Sequence, residues 1–126
     1  MGGGVGLTWH SPVRVATETT MYAMPETAIG LFCDVGGSYF LSHIHNSDPS
    51  VGLYLGITGQ RVKAKDLVTW GIATHYVPQA KLPDLVKSIT TEVNAGSTDQ
   101  AIIELVNKHS EITATDAKIP DYDEIR

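Results

Sequence analysis

Three consecutive glycines, Gly2, Gly3 and Gly4, stand at the start of the chain, and two carboxylates, Glu26 and Asp34, follow them. Residues without a Cβ leave backbone N–H groups unshielded, and Val5-Gly6-Leu7 can begin a helix whose N-terminal end favours negative charge. A turn of this kind holds an oxyanion. Glu26 and Asp34 bracket the apolar run Ala28-Ile29-Gly30-Leu31-Phe32, a setting that suits carboxyl groups to acid–base work. Donors and acids together point to chemistry on a carbonyl. Each signal alone is weak, since a glycine run is more often a tight turn and a Glu beside Pro more often a solvated cap.

The elements that must position these groups follow from pattern. Residues 4–10 read as a short helix, stopped at Ser11-Pro12 because proline restricts the residue before it and cannot continue the ladder. Residues 14–17 and 20–24 are rich in β-branched and aromatic side chains with a polar break at Glu18-Thr19, so they read as two short strands, with Glu26 just beyond the second. Residues 27–31 read as a helical turn. A helix over 35–44 is expected, with Asp34 as its N-cap. Residues 49–55 form the next helix, with Asp48 or Ser47 before it and an end near Gly56 and Gly59; residues 64–70 form another, closed by Gly71. Residues 74–77 are a strand before Pro78. Leu82, Leu85, Val86, Ile89 and Val93 recur at helical spacing from a Pro83 start. Ile102, Ile103, Leu105 and Val106 do so again after Ser97-Thr98-Asp99-Gln100, a capping-box pattern. The polar, acidic stretch 110–126 with Pro120 inside it reads as a disordered tail or linker. The division expected is therefore 1–82, 83–109 and 110–126, without internal repeats.

Composition narrows the classes. The chain has 126 residues and a net charge of -5, and its densest basic stretch is Arg61-Val62-Lys63-Ala64-Lys65. Such a stretch is a solvated helix start, and nucleic acid is not an expected partner. The single Cys33 allows no internal disulfide and no cysteine-based metal site, and is expected to pack as a small side chain. His43 and His45, two apart, do not share one helix face, so they are expected at the surface and no metal centre is expected. His75 is expected to be structural, and Trp70 and Tyr76 to belong to the core. No apolar run reaches the roughly 18 residues that would span a membrane, and no targeting signal is read.

Taken together, the segments Gly2-Gly3-Gly4-Val5-Gly6-Leu7, Arg14-Val15-Ala16-Thr17, Met24-Pro25-Glu26-Thr27-Ala28-Ile29-Gly30-Leu31-Phe32 and Asp34-Val35-Gly36-Gly37 resemble the crotonase (enoyl-CoA hydratase/isomerase) superfamily in order and spacing. Leu55-Gly56-Ile57-Thr58-Gly59 and Gly71-Ile72-Ala73-Thr74-His75-Tyr76-Val77 fit the same family. The match is dense to about Leu82 and thin beyond it.

The resemblance implies an α/β fold, a partial crotonase-like ββα spiral core followed by packing helices. It implies an acyl-CoA substrate, with the Gly3 N–H holding the thioester carbonyl oxygen. Glu26 would be the nucleophile or the base that activates water, and Asp34 would bind a substrate hydroxyl or protonate the leaving thiolate. No cofactor is implied, coenzyme A being part of the substrate. Hydratases of the family carry a glutamate where this chain has Gly6 and tend to have glycine where it has Asp34. The departure favours the branch that hydrolyses hydroxyacyl-CoA thioesters. Cys33 stands where those hydrolases usually have proline. The alternatives are an enoyl-CoA hydratase or isomerase, and a non-catalytic crotonase-fold fragment acting through assembly. The resemblance also implies a piece of a longer protein, weak or inactive by itself, whose strand edges would be covered by self-association. Its expected compartment is the mitochondrial matrix in a eukaryote or the cytoplasm in a bacterium.

Overall fold

The computed structural model describes residues 1–44 and 48–114. Helix α1 (Gly3–Trp9) starts on the glycine run and buries only Val5. A helix so exposed takes its orientation from contacts at its ends. Arg14 supplies these at the C-terminal end: its guanidinium donates to the carbonyls of Trp9 at 3.3 Å and Ser11 at 2.6 Å, and to those of Gly71 at 3.1 Å and Ile72 at 2.7 Å. It also lies 5.2 Å over the Trp9 ring, which in turn stacks on Phe40 with centroids 4.6 Å apart. Four charge-assisted hydrogen bonds and a stacked cation hold the helix end against the core.

Strands β1 (Val15–Ala16) and β2 (Met21–Tyr22) are shorter than the sequence pattern suggests and do not pair with each other. The turn between them is closed twice, by the Thr20 N–H on the Thr17 carbonyl and by the Thr17 N–H on the Thr20 hydroxyl, both at 2.9 Å. It sends the chain into a second sheet. There β2 pairs antiparallel with β3 (Val62–Lys63), with Met21 opposite Lys63 and Tyr22 opposite Val62. In the first sheet β1 runs parallel to β4 (His75–Tyr76), and β5 (Ile112–Thr113) closes antiparallel on the other side of β4. Between these strands lie α2 (Gly37–Leu41), α3 (Pro49–Thr58) and α4 (Ala64–Thr69). Phe40, Met24 and Leu55 are the largest side chains buried in the main core. Helices α5 (Leu82–Glu92) and α6 (Asp99–His109) pack on each other, and Leu85 and Val106 share a second cluster with Val77 and the flanking Val13 and Val15.

Three expectations are corrected. Asp34 does not cap α2 with its side chain; Gly36 occupies the cap position, because Asp34 instead begins a tight turn whose central residues are left-handed. The capping box ahead of α6 is not formed: Thr98 accepts the Ala101 N–H at 3.3 Å, and position 101 has no side chain able to reciprocate. The stretch after 109 does not begin as an unstructured tail. Ser110 donates to the carbonyls of Tyr76 and Ile112 at 2.9 Å, and β5 follows at once. The first residues of that stretch thus extend a sheet, and 115–126 lie outside the described residues, as do His45 and Ser47. Asp48 is the cap of α3, accepting the Ser50 N–H at 2.8 Å, which holds its carboxyl below the usual range.

Candidate active site

The glycine turn and Glu26 are neighbours. The Gly2 N–H donates to the Ala23 carbonyl at 3.1 Å, which fastens the start of the chain to the segment leaving β2. Gly2 is left-handed at φ 53, and a Cβ there would lie 2.9 Å from Glu26 Oε1. Only glycine serves both needs. The next N–H groups project from the N-terminal end of α1, where no carbonyl of the helix itself can accept from them. Gly4 reaches the Met1 carbonyl at 3.2 Å and Val5 the Gly2 carbonyl at 2.8 Å, while Gly3 donates to nothing among the described residues.

Glu26 sits in a 3₁₀ turn, Pro25–Ile29, that Pro25 starts and Gly30 ends. The side chain is 8% exposed, and its Oε2 is buried without a hydrogen-bond partner. A buried carboxylate oxygen left without a partner is costly in a folded protein, on the order of 1–3 kcal/mol or more, and calls for an explanation. The Tyr22 hydroxyl is likewise buried and unpartnered; burial first, and then the neighbouring acidic groups of Cys33 and Glu26, push its pKa well above the ordinary tyrosine value. Tyr22 therefore stays a proton donor across the physiological range.

Asp34 is exposed and stands in a tight turn. The Gly37 N–H donates to the Asp34 carbonyl at 2.6 Å across Val35 and Gly36, both of which have positive φ, 47 and 83. Two left-handed central residues make this a type I′ turn, whose favoured residues are Asn, Asp and Gly. A β-branched residue there is strained by about 1–3 kcal/mol. The Val35 side chain abuts helix α1: a Cβ at Gly6 would lie 2.8 Å from Val35 Cβ and Cγ2. The turn bearing Asp34 is in this way pressed against the helix bearing Gly3.

Cys33 lies between the two acids. Its thiol is buried, donates to the Gly56 carbonyl at 3.4 Å, and has its pKa raised by burial first and then by the charges of Glu26 and Asp34. It packs as a small neutral side chain. An open, mainly apolar groove of about 490 Å³ adjoins it, running from Leu31 and Phe32 to Leu53 and Ile57.

Gly2 is thus in contact with Glu26 and Gly3 is the next residue of the same turn, while Asp34 stands between Cys33 and Val35, and Val35 rests on α1. Sequence reasoning missed Val35 and Tyr22. For Val35 the only signal was the Gly36-Gly37 pair after it, which marks a turn but not which residue bears the strain; Tyr22 read simply as one aromatic in a strand. His75 is where a structural residue belongs, with Nδ1 2.7 Å from Thr74 Oγ1 and Nε2 2.9 Å from Asn107 Oδ1. His43 is exposed and bonds the Tyr39 carbonyl through Nδ1 at 2.7 Å.

A family model described as enoyl-CoA hydratase/isomerase matches residues 1–125. The mitochondrial 3-hydroxyisobutyryl-CoA hydrolase of Danio rerio is 44% identical over 120 residues, which is 95% of this chain and 30% of that protein. The human protein of the same name is 46% identical over 111 residues, 88% of this chain and 28% of its own. The Gallus gallus protein is 55% identical over 89 residues, 71% of this chain and 22% of its own. Of the solved structures, a carnitinyl-CoA dehydratase from Mycobacterium thermoresistibile superposes with a TM-score of 0.73 at 35% identity, over 89% of this chain and 30% of that one. An enoyl-CoA hydratase from Rhodobacter sphaeroides 2.4.1 does so with a TM-score of 0.66 at 35% identity, over 85% and 33%. The α/β architecture with a partial crotonase core, expected from the motifs, is the one these structures share. The chain spans 30% or less of the length of these curated relatives.

Proposed function

Since the chain belongs to the enoyl-CoA hydratase/isomerase family, we propose that a full-length protein carrying it hydrolyses an acyl-CoA thioester, with 3-hydroxyisobutyryl-CoA as substrate and 3-hydroxyisobutyrate and coenzyme A as products. The observation that carries this reading is Glu26, buried against Gly2 of the glycine turn with Oε2 unpartnered, the N–H of the following Gly3 being unused among the described residues. The names of the similar hydrolases support the substrate class.

In this reading the Gly3 N–H donates to the thioester carbonyl oxygen as negative charge develops on it. Removing one such donor in other enzymes costs on the order of 2.7–4 kcal/mol of barrier. Glu26 attacks the acyl carbon or takes a proton from the water that does. The C–S bond then breaks, the thiolate leaves and is protonated, and water supplies the hydroxyl of the product acid. Asp34 holds the substrate's 3-hydroxyl or delivers the proton to the thiolate. No cofactor is required beyond the coenzyme A that the substrate carries. The compartment proposed for a eukaryotic protein is mitochondrial, as in the relatives' names; for a bacterial one it is the cytoplasm.

The test is thiol release from 3-hydroxyisobutyryl-CoA set against hydration of crotonyl-CoA, measured on the full-length protein. Hydrolysis is expected to dominate. Hydration as the main activity would sink the hydrolase reading in favour of a hydratase.

A further inference from the structure

We infer that Val35 determines specificity in this site: wedged against Gly6, it keeps α1 free of side chains on the face toward Asp34 and fixes Asp34 beside the glycine turn. The inference rests on the hydrolytic reading above and names the residue that shapes its substrate preference.

Val35 is badly placed by its own chemistry. It is the only non-glycine with positive φ among the described residues, and it occupies a turn position that glycine or asparagine would fill without strain. Burial does not explain its presence, because the residue is 45% exposed and gains little from the core. What its side chain does touch is α1. A Cβ built on Gly6 would stand 2.8 Å from Val35 Cβ, 2.8 Å from Cγ2 and 3.0 Å from the Val35 carbonyl oxygen. Gly6 and Val35 are therefore a matched pair, and a side chain at position 6 requires Val35 to move.

Two consequences follow. At Gly3 and Gly6, α1 offers backbone alone, so in this reading the acids come from positions 26 and 34. Gly6 also lies one helical turn from Gly3, on the same face, so a branched side chain pressed on Gly6 holds the 34–37 turn at a set distance from the Gly3 N–H. A carboxylate fixed in this way discriminates between acyl chains, because a group built to pair a substrate hydroxyl is left unpaired by an analogue that lacks it.

The experiment uses Val35→Gly, Val35→Ile, Gly6→Ala and the double variant Val35→Gly/Gly6→Ala in the full-length protein. Gly6→Ala is expected to lower Tm by several degrees in the native background and by less than half as much beside Val35→Gly, as coupled neighbours do. Val35→Gly, which relieves the turn, is expected to leave Tm unchanged or higher. It should nevertheless reduce the kcat/KM ratio of 3-hydroxyisobutyryl-CoA over isobutyryl-CoA by roughly tenfold. Val35→Ile keeps the branched wedge and should preserve that ratio. Equal Tm losses from Gly6→Ala in both backgrounds would overturn the wedge, and an unchanged ratio in Val35→Gly would overturn the specificity role. If the native protein releases no thiol from either thioester, the hydrolytic reading and the specificity role fall together, while the Tm coupling still reports on the wedge alone.

Discussion

Glu26 and His75 are buried to nearly the same extent, 8% and 6% exposed, and their surroundings differ in the one respect that matters. His75 has both ring nitrogens within hydrogen-bond distance of a partner, Thr74 on one side and Asn107 on the other. Glu26 keeps an oxygen with none. A satisfied polar group ties elements together, here β4 to α6, whereas an unsatisfied one represents a cost that folding alone does not explain. Cavity size does not separate the two regions, since the space beside His75 and Asn107, about 580 Å³, exceeds the groove beside Cys33. Trp70 Nε1 is also buried without a partner, but an indole N–H is a donor only and has no free lone pair with which to accept a proton. The Tyr22 hydroxyl is unpartnered too, but burial first keeps its proton in place, so among the described residues with an unpartnered buried polar atom the carboxylate is the one able to act as a base.

The largest expected effect tests this difference directly. Glu26→Gln keeps the shape of the side chain and removes its basicity, so kcat for thiol release in the full-length protein should fall by roughly 10²–10⁴-fold, with KM changed far less. Thermal unfolding should shift little, as the amide fills the same space. Turnover within a few-fold of native would take Glu26 out of the mechanism and leave its buried oxygen unexplained.

How much of this could be read from the sequence differs between the two regions for a physical reason. Gly3, Glu26 and Asp34 could be named as candidates from the sequence because their types, order and spacing together resemble one family, although each alone is a weak signal. Helices α5 and α6 were legible because apolar periodicity is a local signal, and α3 because an Asp cap before Pro49 and a closing glycine are local signals too. The strands were overextended, since a run such as Arg14-Val15-Ala16-Thr17 states a preference and only the pairing partner sets the length; β1 meets β4 over two residues. β5 was missed because Ile112-Thr113 is a short pair in a polar stretch, and its strand character comes from Tyr76 opposite it. Val35 was illegible for the same reason: its meaning depends on Gly6, which is remote in the chain and close in space.

A middle-sized effect comes from the satisfied side of the comparison. His75→Phe fills a similar volume but strips two hydrogen-bonding nitrogens, leaving Thr74 and Asn107 without that partner. Stability should drop by about 1–3 kcal/mol, the range for orphaning buried polar groups, readable as a lower denaturation midpoint. Thiol release by the fraction that stays folded should remain near native. A loss of turnover comparable to that of Glu26→Gln at unchanged stability would mean that the two histidine bonds serve the reaction and that satisfaction is no guide to role.

The smallest effect concerns a third polar side chain, Glu18, which has partners like His75 but lies in water. Its carboxylate accepts the Gln79 N–H at 2.8 Å and the Tyr76 hydroxyl at 3.5 Å, joining the turn after β1 to the segment leaving β4. Chiefly through the Gln79 N–H, its pKa is held below the ordinary 4.5. The sign of the pH dependence follows. A carboxyl whose pKa is depressed by folding stabilises the folded state fully above its unfolded value, and that contribution is lost as pH falls through the lower folded value. Glu18→Gln should therefore lower Tm slightly near pH 7, and the two Tm curves should converge as pH drops below 4.5. Being exposed and screened, the interaction should also weaken in high salt. A Tm gap that persisted unchanged into strong acid would show that Glu18 acts through packing or hydrogen-bond shape and not through its charge, and would place it with His75 as a tie between elements.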